Sequence, residues 1–137
     1  MKFLSIETDH IVSWLMGMPS DTNLNDLVEA GIPRKAIETL ADNGIDIMNL
    51  VVLPHPLIES HVRSNTLTPE AGWLVYRGVT VIVLAEALLG NRDYAIGWVT
   101  RFLRGLGGAT AMQMIATDEG YDAVVVFIER IAHGVYH

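Results

Sequence analysis

No cysteine occurs among the 137 residues. That excludes disulfide bonds and thiolate-held metal sites, and it fits a cytoplasmic setting. Charge is also scarce: Asp, Glu, Lys and Arg make up 18% of the chain, below the roughly one quarter usual for globular domains. Basic residues are fewest, nine Lys and Arg against sixteen acids for a net charge of −7. Such a surface repels nucleic-acid phosphate overall, because binding there needs cations that displace counterions. The most apolar stretch, Val79 to Leu89, is eleven residues long and contains Thr80 and Glu86. A bilayer span needs about 20 residues, so a buried central helix is the better expectation. Met1 to Glu7 meets an acid at once and lacks the unbroken apolar stretch of a signal peptide.

Catalytic patterns are missing too. Gly105-Leu106-Gly107-Gly108 has no Lys-Ser or Lys-Thr after it, as a phosphate loop requires, and no G-x-S-x-G is present. Asp118, Glu119 and Asp122 crowd a predicted helix start, where acids suit the helix dipole. His133 and His137 are four apart, a chelating spacing on a helix. Gly134 is expected to end that helix, however, and no third ligand stands out. His55 and His61 read as surface residues. The expectation is no catalysis, no metal and no cofactor.

What the chain has in quantity is apolar side chain: 50% of residues, with a mean hydropathy of +0.32. A core is affordable, and disorder is not expected. So little charge on so apolar a chain is met either by a well-filled core or by apolar surface held for a partner or a second copy.

The punctuation predicts helices nearly throughout, hence an all-α class. Ile11, Trp14 and Leu15 share one face of a first helix, stopped by Gly17 and Pro19. Leu24, Leu27 and Val28 give a second, closed by Gly31. Pro33 suits the first turn of a third, which buries Ile37 and Leu40 and ends at Asn43-Gly44. Asp46 can cap a short helix through Leu50, while Leu50 to Leu53 alternatively reads as a strand, with Pro54 and Pro56 beyond. Thr68-Pro69-Glu70 is a strong start signal for a helix running to Leu89 and stopping at Gly90. Asn91 can cap the next helix, carrying Trp98 and Phe102, with Arg101 and Arg104 in its last turn. Thr110 to Gln113 fits a capping box, and a final helix runs from Asp118 to Ala132, with Val124, Phe127, Ile128 and Ile131 at helical spacing and Gly134 as its stop. A boundary near Ser64 to Leu67 divides residues 1–66 from 67–137.

In order along the chain stand Leu84-Ala85-Glu86, Trp98, Leu106-Gly107-Gly108, Thr110, Met112, Ile115, Thr117, Gly120, Val124, Ile128, Ile131, Gly134 and Tyr136. Each piece alone is weak; their order and spacing resemble the toxin-binding domain of the Xre/MbcA/ParS-like antitoxins over residues 67–137. Ala111 stands where that family often has proline. The resemblance implies a RES-domain toxin as partner, one that consumes or transfers from NAD. It also implies that the C-terminal tail blocks the toxin's NAD pocket. In this chain that tail is Ala132, His133, Gly134, Val135, Tyr136 and His137. Trp98, Arg101, Arg104 and Tyr136 are the leading interface candidates, since Trp, Tyr and Arg dominate binding energies. Trp98 reads equally as a core residue.

Residues 23–66 resemble a decayed helix-turn-helix of the Xre kind, through Gly31-Ile32, Ile37, Leu40, Gly44-Ile45, Leu50 and Leu57 to Arg63. Such modules read DNA with basic and hydroxyl side chains. Here the candidates are Arg34, Lys35, Ser60 and Arg63, and residues 1–65 hold four Lys and Arg against nine acids. A dimer could present the cations twice. A helical dimerisation module without DNA contact is slightly preferred. Two further readings stay open: a transcriptional regulator without a toxin partner, and an enzyme whose residues are not visible.

Overall fold

Thr68 starts the helix on which the others are assembled. Its hydroxyl accepts the Ala71 amide at 3.3 Å, Pro69 occupies the first helical position, and Gly90 ends the helix at φ 77° while its amide reaches the Glu86 carbonyl at 2.7 Å. A computed structural model of the chain describes residues 6–51 and 65–134. The helices there are α1 (Ile6–Leu15), α2 (Leu24–Ala30), α3 (Arg34–Asp42), α4 (Ile47–Leu50), α5 (Pro69–Leu89), α6 (Arg92–Val99), α7 (Ala111–Met114) and α8 (Asp118–Ala132). A 3-10 turn covers Arg104–Leu106. The fold is all-α: the described residues hold no strand, and only two isolated bridges, Pro33 with Thr66 and Leu103 with Ala109.

Every residue of α5 from Gly78 to Ala85 is buried, as the all-round apolar sequence requires. By length and composition its 21 residues would also cross a bilayer. They are instead covered by α1, α2 and α4 from one side of the sequence and by α6 and α8 from the other. One apolar core therefore runs from Val12 through Val75 and Ile82 to Ile128. Burial of each such side chain is worth about 1.5–3 kcal/mol. Gly78 lets α4 approach: a Cβ there would stand 2.9 Å from Val51 Cγ1 and 3.0 Å from Ile47 Cδ1.

Several local expectations are corrected by these packings. In α1, Leu15 is buried beside Val12 and Met16, whereas Ile11 and Trp14 face solvent. The face toward α5 is thus the one through Thr8, Val12 and Leu15. In α3 it is Ala36 with Leu40 that is buried, and Ile37 is only partly covered. Pro33 sits one residue before α3, held there by its bridge to Thr66. Asp46 precedes α4 but does not cap it; its carboxylate accepts the Asn49 side-chain amide at 2.6 Å. The strand alternative for Leu50 to Leu53 falls partly outside the described residues: Leu50 ends α4, Val51 is extended, and residues 52–64 are not described. Pro54, His55, Pro56 and His61 belong to that segment.

Polar crosslinks join the early helices to the late ones. The Asn43 side chain donates to the Leu15 carbonyl at 3.1 Å. Arg92 donates to the Asn43 carbonyl at 2.7 Å and to Glu86 at 2.8 Å. The amides of Arg34 and Leu67 reach the carbonyls of Asn65 and Ile32 at 2.7 and 2.8 Å, so the start of the α5 approach lies along the α2–α3 connection.

Candidate functional site

The C-terminal helices are held to α5 by Arg77. Its guanidinium donates to the Ile115 carbonyl at 3.0 Å, pairs with Asp118 and lies 5.5 Å from the Tyr121 ring centre. Burial pushes the Tyr121 phenol up to about 12, against the opposing pull of the Thr80 hydroxyl and Arg77. Tyr76, edge-on to Trp73, donates to Asp9 at 3.0 Å; burial and that carboxylate raise its phenol further above the ordinary value. These groups link α1, α5 and α8, and they are neutral phenols at physiological pH.

Past α5, the Asn91 side chain caps α6 by accepting the Tyr94 amide at 3.0 Å. The helix stops at Val99, earlier than the sequence suggests. Thr100 turns its hydroxyl back to the Ile96 and Gly97 carbonyls at 2.9 and 3.2 Å, and Leu103 is drawn into its bridge with Ala109. Arg101 and Arg104 are consequently not in the last turn of α6. Arg101 follows the helix, and Arg104 opens the 3-10 turn; both are exposed, and among the described residues neither takes part in an ion pair. Gly107 and Gly108 have φ of 69° and 83°, the left-handed region that favours glycine, while a Cβ on either would meet nothing within 4 Å. Their requirement is thus conformational, not steric.

Thr110 and Gln113 form the capping box, each side chain accepting or receiving the other's amide at 3.0 Å. Ala111, directly after the cap, is fully buried. Thr117 caps α8 through the Gly120 amide at 3.0 Å. Gly120 is the sterically demanding glycine of this region, since a Cβ would collide with the Met114 carbonyl. Val124 and Ile128 are buried along α8, and Ile131 is half-buried.

Trp98 is neither a core residue nor free. It is half-buried and stacked on Phe127 of α8, with ring centres 5.9 Å apart and planes 11° from parallel. Its outer side borders a groove of about 310 Å³ lined by Leu89, Asp93, Tyr94, Gly97, Trp98 and Arg101. Tyr94 is 70% exposed and Phe102 69%, with Leu89 at 39%. The structure so joins Trp98 to Arg101 and adds Leu89, Asp93, Tyr94 and Gly97, which the sequence reading missed. The available signal was the aromatic pair Tyr94 and Trp98, four apart within α6; Leu89 lies on α5, across the break at Gly90. A second groove of about 370 Å³ lies among Ile11, Val83, Glu86, Ala87, Gly90 and Arg92.

The other candidates lie apart. His133 and Gly134 are exposed at the end of α8, where the His133 amide reaches the Glu129 carbonyl at 2.9 Å and Gly134 takes φ 70°. Val135, Tyr136 and His137 lie outside the described residues, as do Ser60 and Arg63. Arg34 is part-exposed at the start of α3, and Lys35 is exposed beside it. No three His, Asp or Glu side chains converge on a metal-sized site among the described residues.

Residues 84–134 match the family described as the antitoxin Xre/MbcA/ParS C-terminal toxin-binding domain. Over these residues the chain is similar to the Xre/MbcA/ParS-type antitoxins. Antitoxin Xre of Pseudomonas putida KT2440 is 23% identical over 120 residues, covering 85% of this chain and 76% of that protein. Antitoxin Xre of Photorhabdus laumondii subsp. laumondii TT01 is 28% identical over 131 residues, 88% of this chain and 86% of its own length. The matched domain begins within α5, contains the whole groove beside Trp98, and ends at Gly134.

Proposed function

We propose that this protein is the antitoxin of a type II pair, and that it neutralises an NAD-consuming RES-domain toxin by binding over its active site. The observation that carries the reading is the toxin-binding match over residues 84–134, set where α5 packs against α6 and α8 and leaves Tyr94 and Phe102 exposed. Two Xre antitoxins similar along most of the chain support it. Protein binding, not catalysis, is the activity, and the setting is the cytoplasm. In this reading the segment Ala132 to His137, which follows the exposed end of α8 in the sequence, is the occluding one.

The N-terminal helices serve dimerisation in this reading, for which Ile11 and Trp14 offer an apolar face, 47% and 66% exposed. Operator binding by the dimer, with Arg34 and Lys35 at the contact, adds autorepression. A regulator without a toxin partner is the competing reading, and it requires salt-sensitive DNA binding weakened by Arg63→Ala.

Native isolation from the host through an N-terminal tag, leaving His137 free, tests the core of the proposal. A RES-domain protein in stoichiometric amount is expected. Recovery of the chain alone, from cells shown to contain a RES protein, would overturn it. Cutting the chain after Ala132 is expected to abolish neutralisation in a growth assay while leaving the helical fold intact.

A further inference from the structure

Gly97 is out of place on internal grounds. It lies in the third quarter of α6, is exposed, and has an ordinary helical backbone, unlike the positive-φ glycines. A Cβ there would meet nothing within 4 Å. Glycine in such a position destabilises a helix relative to alanine, so the fold gains nothing from it. Its surroundings are equally unsatisfied. The groove it floors carries exposed Leu89 and Tyr94 along its length, Trp98 held from behind by Phe127, Asp93 toward the start of the helix and Arg101 toward its end. Arg101 has no acidic partner among the described residues. A bare backbone patch between aromatic walls is what a close-approaching chain from another protein requires.

We propose that this α6 groove is a seat for the toxin, distinct from the tail: a toxin segment lays its backbone against Gly97, places an apolar side chain between Leu89, Tyr94 and Trp98, and sets a carboxylate against Arg101. A toxin segment is the occupant because all six lining residues fall inside the matched toxin-binding domain, and the groove's cationic end calls for an acid. The inference rests on the toxin-binding reading and assigns the contact surface within it. It also gives the antitoxin two points of hold, a fixed groove on α6 and a tail beyond α8, so that grip and occlusion are separate tasks.

The test is equilibrium binding of the full chain to a purified, catalytically inactivated RES-domain toxin from the same host, with thermal unfolding of the free chain measured in parallel. Gly97→Ala is expected to raise the free chain's melting temperature by about 2–4 °C and to weaken the complex about tenfold or more. Opposite signs in the two readouts are what a merely structural glycine cannot produce. Tyr94→Ala is expected to weaken binding at least as much, and Asp21→Ala, at an exposed position in the turn between α1 and α2, to leave it unchanged. If the natural chain binds while Gly97→Ala and Tyr94→Ala bind equally well, the groove is not the seat and the toxin-binding reading survives. If the natural chain does not bind the RES toxin at all, that reading falls and takes the inference with it.

Discussion

The inner seam of α5 and the outer face of α6 use glycine for opposite ends. At Gly78, and at Gly120 where α8 meets α7, any side chain would run into Val51, Ile47 or the Met114 carbonyl. At Gly97 a side chain would meet nothing. The first two are needed because helices of this protein pass closer than a methyl group allows. The third answers to no close contact among the described residues. The same contrast holds for the aromatic residues: Tyr76 and Tyr121 are sunk among α1, α5 and α8, while Tyr94 and Phe102 stand in solvent. Such a division, with one side committed to its own core and the other open, is expected of a protein that binds a partner.

The comparison can be broken most severely at Gly120. Gly120→Ala forces the first turn of α8 off the Met114 carbonyl, and a loss of about 3 kcal/mol is expected in urea unfolding. A loss below about 1 kcal/mol would show that α7 and α8 yield easily. At Gly78 the obstructing atoms are side-chain tips, which can shift, so Gly78→Ala is expected to cost less, about 1–2 kcal/mol. Arg92→Ala removes the hold on the Asn43 carbonyl and on Glu86. Because both partners are part-exposed, the expected loss is about 1 kcal/mol, and amide exchange around the α3 C-terminus should rise.

Alkaline pH gives the smallest and most diagnostic effect. Tyr121 ionises near 12 in the folded chain and Tyr76 is also raised, against about 10 for an unfolded phenol. Between those values the unfolded state has already lost protons that the folded state keeps, so stability falls as pH rises from about 10 to 12. Below pH 10 the two phenols contribute no pH dependence. Tyr121→Phe is expected to flatten part of the alkaline slope in pH-dependent melting.

Much of the architecture was legible because its signals are local. The caps at Thr68, Asn91 and Thr110 act within three residues of themselves, and the long apolar run from Gly78 to Ala85 leaves a helix no option but burial. The candidate site was legible in part. Trp98 and Arg101 stood out by residue type, but Gly97 carries no side chain to notice, and Leu89 and Asp93 belong to the groove only because α5 and α6 meet at Gly90. Arg104 was misplaced because Thr100 and the Leu103–Ala109 bridge end the helix early, a competition between a hydroxyl and a distant strand-like contact that pattern alone does not weigh.

By itself, then, the sequence determined the helical class, the limits of α5 and α8, the glycine turn at 107–108 and the family resemblance, all through interactions spanning a few residues. Tertiary structure alone decided which side of each helix is spent. Ile11 and Trp14 share a helix with Leu15 yet lie in solvent, because α5 has room for only one face of α1. Which glycines are filled and which are open follows from the same cause, since the space around a backbone is set by what packs across from it.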